Sequence, residues 1–193
     1  NRKTYKDYKN YGPTNSVEDI IMKSSNVGTI RMALAAGTSA QKKTLKDLGF
    51  FEAVPVELGE ASRTKPQIPK NWSDTSTITI SFGHGISATP LHLATAYSIV
   101  ANGGFRVKPT IKKIDFGNLS REQVISPKTS KQLISMLRRV VSEKDGTAKM
   151  AKVEGRGVGV FLYFNESFEG VEKTLLSIRE TSHMISDMRR FVD

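Results

Sequence analysis

The sequence predicts a chain of mixed α and β structure in which helices dominate. Segments with apolar residues at three- and four-residue spacing outnumber alternating, β-branched segments. Several of the helical segments open on a serine or threonine, the residue types that cap helix N-termini. The 193 residues are 38% hydrophobic and 25% charged, which is typical of a soluble globular chain with a sizeable core.

The first predicted helix begins at Val17, with Ser16 as its N-cap and Asp19 in the position of a capping-box acid. The polar run 23–26 interrupts this helix, because serine and asparagine compete for backbone hydrogen bonds and favour helix ends. Thr89 followed by proline is a favourable opening for another helix. Further helices are predicted over 27–36, 40–48, 90–101, 127–145 and 148–153.

Two segments predict strands. Residues 77–82 form a β-branched, alternating run, and residues 105–114 alternate around Pro109, which suits an edge strand. The stretch 50–74 contains three prolines and is expected to be mostly loop.

The charge changes sign along the chain. The net charge is +10 overall, but residues 161–193 hold four basic and six acidic residues, so the tail is −2 and the first 160 residues are +12. This change predicts a boundary between a domain over 1–159 and a divergent tail over 160–193, with an amphipathic helix from about 168. A basic surface also suits nucleic-acid binding, but a solvated lysine-rich face is the favoured interpretation and no nucleic-acid partner is expected.

Several local patterns resemble active-site motifs by coincidence. The chain has no cysteine, and its three histidines are scattered, so neither a disulfide framework nor a metal cluster is expected. Ser39 with Lys42 and Ser62 with Lys65 have SxxK spacing, in which an amine activates a hydroxyl. With 19 serines and 18 lysines in 193 residues, chance alone gives roughly 1.8 such pairs. His84 and His92 are interpreted as packing or surface residues.

Three blocks carry a family resemblance. The first is the run 17–28 around Ser24-Ser25-Asn26. The second is the run 82–94 with its following Ala101-Asn102-Gly103-Gly104 turn, and the third is Gly146-Thr147-Ala148-Lys149-Met150-Ala151. Together they resemble, over about residues 1–159, the SxN region, the FGxGI-xxTPLQLA helix and the GT helix of class B penicillin-binding proteins. The similar members are the septal and elongation transpeptidases.

The resemblance implies an α+β fold, of which this chain is a helix-dominated fragment of the penicillin-binding protein and serine β-lactamase-like type. It implies peptidoglycan cross-linking through a serine acyl-enzyme, β-lactam binding and no cofactor. By position, Ser24 is the SxN serine, which relays a proton toward the leaving amine. Asn26 is the SxN asparagine, which donates to the substrate carbonyl. Ser25 occupies the variable middle position.

The sequence departs from the family at both ends. No SxxK precedes Ser24, and no KTG follows Gly159. We therefore expect this chain alone to be inactive. It is a transpeptidase fragment or, alternatively, an inactive remnant or interaction module that pairs with a complementary fragment or with cell-division proteins. Full-length relatives face the periplasm from an inner-membrane anchor. No signal or anchor is recognisable in this sequence, since it has no long apolar run.

Overall fold

A computed structural model of the protein describes residues 4–113 and 120–151. Helices dominate this part of the chain and a small sheet accompanies them, which confirms the prediction of a helix-dominated α+β fragment. The α-helices are α1 Val17–Met22, α2 Asn26–Ala36, α3 Thr38–Asp47, α4 Asp74–Ser81, α5 Pro90–Ala101 and α6 Pro127–Ser142. Short 3-10 turns cover Ala61–Arg63 and Lys149–Ala151. The tail helix predicted from about 168 lies outside the described residues.

The helices pack around α2 and α6. Helix α2 contacts α1, α3 and α4, while α6 contacts α1 and α5. Ile99 of α5 and Val141 of α6 are fully buried, with 0% and 1% of their surface exposed. On the same side, the buried Ser130 hydroxyl donates to the Val100 carbonyl at 2.6 Å. Within the described residues, no helix is long and apolar enough to cross a membrane.

Two short strands form an antiparallel ladder. Strand β1 (Phe105–Val107) pairs with β2 (Arg121–Gln123), with Phe105 opposite Gln123 and Val107 opposite Arg121. The predicted strand over 105–114 is therefore shorter than expected. Proline at 109 has no backbone N–H with which to extend the ladder.

The strand predicted over 77–82 is wrong, because this segment lies in helix α4 (Asp74–Ser81). Its N-terminus carries a capping box, in which the Ser73 hydroxyl accepts from the Ser76 N–H at 3.2 Å. Thr77 is 1% exposed and its hydroxyl bonds to that of Thr38 on α3 at 2.8 Å. Packing on α2 and α3 thus overrides the β preference of the threonines and isoleucines.

The helix starts predicted at Val17, Pro90 and Pro127 are confirmed, whereas α3 begins at Thr38 rather than 40 and a 3-10 turn begins at Lys149 where a helix was predicted from 148. Ser16 and Asp19 form a capping box at α1, in which the Ser16 hydroxyl donates to the carboxylate at 2.9 Å and accepts from the Asp19 N–H at 3.1 Å. Thr89 caps α5 and Ser126 caps α6, each followed by proline at the first helical position. These caps fix where each helix begins, and therefore where the break between α1 and α2 lies.

Candidate functional site at the α1–α2 break

The break between α1 and α2 is the tight turn 23–26, which we call the SxN turn. Ser24 has a φ of 53°, and it is the only non-glycine residue with positive φ among the described residues. This left-handed conformation costs an L-residue about 1–2 kcal/mol. Such a conformation persists only where surrounding contacts hold it. The Ser24 side chain is exposed.

Ser25 caps helix α2 and is the buried residue of the turn. Its side chain accepts from the Gly28 N–H at 2.9 Å, and only 3% of its surface is exposed. The Ser25 carbonyl accepts from the Thr29 N–H and hydroxyl. The sequence interpretation gave this position no role. In the structure the Ser25 hydroxyl supplies the N-cap of α2.

Asp7 holds the turn from outside the two helices. Its carboxylate accepts from the Ser25 hydroxyl at 2.9 Å and from the Val27 N–H at 2.9 Å. We call this pair of hydrogen bonds the Asp7 clasp. Sequence reasoning missed Asp7, since it lies 17 residues before Ser24 in a polar segment without periodicity. The one sequence feature that points to Asp7 is its charge, because an acidic side chain stabilises a helix N-terminus.

Two further contacts fix the carbonyls at the end of α1. The Tyr11 hydroxyl donates to the Lys23 carbonyl at 3.0 Å. The N–H and hydroxyl of Thr147 both donate to the Met22 carbonyl at 3.2 Å. The Gly146-Thr147 block identified in the sequence thus lies directly against the SxN turn.

The second sequence block reaches the same region through the N-terminal segment. The Tyr5 ring lies 5.7 Å from the Phe82 ring, and the Phe82 ring lies 5.2 Å from that of His84. Because Tyr5 is two residues from Asp7, all three blocks contact either the SxN turn or the segment that clasps it.

The Ser24 hydroxyl and the Asn26 amide have no hydrogen-bond partner in the part of the chain that the structure describes. Asn26 is half-buried at the first position of α2 and Ser24 is exposed. Within residues 4–113 and 120–151, neither side chain forms a hydrogen bond. One donor-acceptor hydroxyl and one amide therefore stand on the surface at a rigid turn, which suits contact with a polar ligand.

A cavity of about 400 Å³ lies beside the turn, lined by Asp7, Ser25, Gly28 and Arg31 among others. Neither Ser24 nor Asn26 lines it. The cavity is therefore lined by the clasp residues Asp7, Ser25 and Val27 and not by the two candidate residues.

The residues interpreted as coincidental matches have other contacts. Lys42 lies 5.2 Å over the Trp72 ring, and the Ser62 hydroxyl donates to the Gly59 carbonyl at 2.9 Å. His92 is buried, with one ring nitrogen on the Thr89 hydroxyl and the other on a backbone carbonyl. Among the described residues, no group of three or more His, Cys, Asp or Glu side chains could hold a metal ion.

In fold, the chain is similar to a solved transpeptidase domain. It aligns with the apo TP domain of penicillin-binding protein 3 from Burkholderia pseudomallei at 31% identity and a TM-score of 0.71, covering 77% of this chain and 45% of that one. The chain belongs to the penicillin-binding protein transpeptidase family, whose domain matches residues 1–160.

Curated relatives agree with this assignment. Penicillin-binding protein PbpB of Mycolicibacterium smegmatis is 38% identical over 148 residues, covering 69% of this chain and 23% of that protein. Peptidoglycan D,D-transpeptidase FtsI of Escherichia coli K12 is 30% identical over 162 residues, covering 75% and 27%. The chain thus spans about a quarter of the length of the curated relatives that it matches.

Proposed function

We propose that residues 1–159 supply the SxN wall of a peptidoglycan D,D-transpeptidase cleft, with 160–193 as a separate tail. The observation that supports this most is the SxN turn itself. A strained, exposed Ser24 is fixed by contacts on both sides, and Asn26 opens the next helix beside it. These contacts fix the backbone from which two polar side chains project, and a fixed backbone favours the oriented groups that transition-state stabilisation requires.

In the proposed reaction, a serine outside this sequence attacks the carbonyl of the penultimate D-alanine of a stem peptide. The C–N bond to the terminal D-alanine breaks, and the proton lost by the nucleophile reaches the leaving amine through the Ser24 hydroxyl. The Asn26 amide donates to the carbonyl of the bound peptide and holds the acyl chain in place. A second amine then displaces the ester and forms the cross-link. β-Lactams acylate the same serine, and their lactam ring opens in that step.

The test is a chimera in which residues 1–160 replace the matched stretch of Escherichia coli FtsI, which keeps the remainder of that protein. We expect a fluorescent penicillin to label the chimera covalently. Ser24→Ala and Asn26→Ala should each lower the acylation rate by about 10²-fold, the usual size of a lost proton relay or oriented donor. Ser62→Ala is the control, because the Ser62 hydroxyl bonds within its own turn. It should change the acylation rate by less than twofold. An unlabelled chimera, or a Ser24→Ala rate equal to that of Ser62→Ala, would contradict the proposal.

The proposed partners are the peptidoglycan stem peptide, β-lactams, and either a complementary fragment carrying SxxK or cell-division proteins. The proposed location is the periplasmic face of the inner membrane, where the substrate occurs. Co-expression with a fragment carrying SxxK and KTG separates an active split enzyme from an inactive remnant. The split enzyme regains penicillin labelling in the mixture, whereas the remnant does not.

A further inference from the structure

We propose that Asp7 is a positioning residue for the SxN turn, and that its carboxylate sets the orientation of Ser24 and Asn26 for acyl transfer. This inference rests on the proposed function. Asp7 lines the cavity and bonds to Ser25 and Val27 rather than to either candidate. It therefore acts through its neighbours rather than on the substrate.

The geometry of the Asp7 clasp carries the argument. One carboxylate oxygen accepts from the Ser25 hydroxyl and the other from the Val27 N–H, both at 2.9 Å. Ser25 and Val27 are the two neighbours of Asn26, so a single rigid group fixes the chain on both sides of that asparagine. Ser25 also follows Ser24 directly, so the same contact limits rotation of the peptide after the strained residue.

The clasp also matches the charge of its surroundings. The first N–H groups of a helix have no partner within the helix, and the helix dipole favours an anion there. At α2 the Val27 N–H donates to Asp7 and the Gly28 N–H donates to Ser25. Hydrogen bonds to an ionised carboxylate are stronger than neutral ones. An amide in place of Asp7 would keep the shape and lose this charge.

Asp7 is itself held in place by an extended segment. Along residues 4–8, Tyr5 and Asp7 are half-buried while the residues between and beside them are exposed, the alternation of an extended strand. The Tyr5 ring packs against Phe82 at 5.7 Å. The segment therefore connects the SxN turn, through the Asp7 carboxylate, to the end of α4, through the Tyr5 ring.

The first arm of the test uses the 193-residue chain and measures amide hydrogen exchange at Val27 by NMR. We expect Asp7→Asn and Asp7→Ala to accelerate exchange at Val27 and Gly28 at least tenfold while exchange in α5 is unchanged. Asp145→Asn, at an exposed acid in the turn after α6, is the matched control and should change neither amide. Unchanged exchange at Val27 in both Asp7 variants would overturn the clasp.

The second arm uses the chimera and separates the acylation rate constant from the apparent affinity for penicillin. Asp7→Asn should lower the acylation rate constant about tenfold, which is within the range of losses caused by misplacing reacting groups by an ångström. The apparent affinity for penicillin should change by less than twofold. Ser130→Ala removes a buried hydrogen bond far from the turn along the chain and controls for general loss of stability. If Asp7→Asn slows acylation no more than Ser130→Ala, the positioning role is overturned. If penicillin does not label the unaltered chimera, the result contradicts the proposed function itself rather than the role of Asp7.

Discussion

At the scale of single residues, the contact between Ile20 and Gly28 decides how closely α1 and α2 approach. A Cβ built on Gly28 would lie 2.5 Å from Cγ1 of Ile20, and Ile20 is a buried core residue with 8% exposure. We expect Gly28→Ala to destabilise the chain by about 1–3 kcal/mol, the usual cost of overpacking. Urea unfolding followed by the fluorescence of Trp72, the only tryptophan, measures this.

Gly59→Ala is the matched control for this substitution, because nothing lies within 4 Å of a Cβ there. It should leave the unfolding midpoint nearly unchanged. Equal unfolding midpoints for the two variants would show that the Ile20 side chain can move aside without loss of stability. The contact between Ile20 and Gly28 would then not set the distance between α1 and α2.

Residue-level sequence reasoning located the SxN turn but not what supports it. Ser24 and Asn26 follow from a short motif beside a predicted helix break, and the structure confirms that break. Their roles in catalysis stay a prediction. Asp7 and the buried role of Ser25 could not be predicted, because a contact between residues 18 apart through an irregular segment leaves no periodic signal.

At the scale of helices, the capping box of α1 predicts a pH dependence. The Ser16 hydroxyl, which donates to the carboxylate, holds the pKa of Asp19 below its ordinary value. A carboxyl whose pKa is lowered in the folded state adds stability above its unfolded pKa, and that stability is lost as pH falls through the folded pKa. We therefore expect the penalty of Ser16→Ala in urea unfolding to be larger at pH 6 than at pH values below the folded pKa.

The cap of α4 offers the comparison for this effect. Ser73 bonds to Ser76, which has no charge to titrate. The penalty of Ser73→Ala should therefore be the same at both pH values. A Ser16→Ala penalty that is equally independent of pH would show that the Asp19 carboxylate does not contribute through this bond.

Helices were predictable where a cap and a periodic apolar face agreed, as at α5 and α6. The error at α4 has a physical cause. Its sequence, Asp74–Ser81, alternates β-branched residues with polar ones, and a short segment of this kind suits either a strand or a buried helix. Contacts with α2 and α3, which are distant in sequence, select the helix.

At the scale of the whole molecule, the 193-residue chain should not be acylated by penicillin. This sequence contains no SxxK upstream of Ser24 and no KTG, so we expect it to hold no activated nucleophile. Incubation with a fluorescent penicillin, denaturation and electrophoresis should give no labelled band. Escherichia coli FtsI is the positive control under the same conditions. A band that survives denaturation would require a nucleophile within this chain.

The hydrogen bonds between Thr147 and the Met22 carbonyl join residues 125 apart in sequence. A ribosome adding about 5–20 residues per second makes the second partner roughly 6–25 s after the first. During that interval the nascent SxN turn lacks one of its supports, and closing so long a loop has an entropic cost. The turn that presents Ser24 therefore does not have all of its supports until Thr147 has been synthesised.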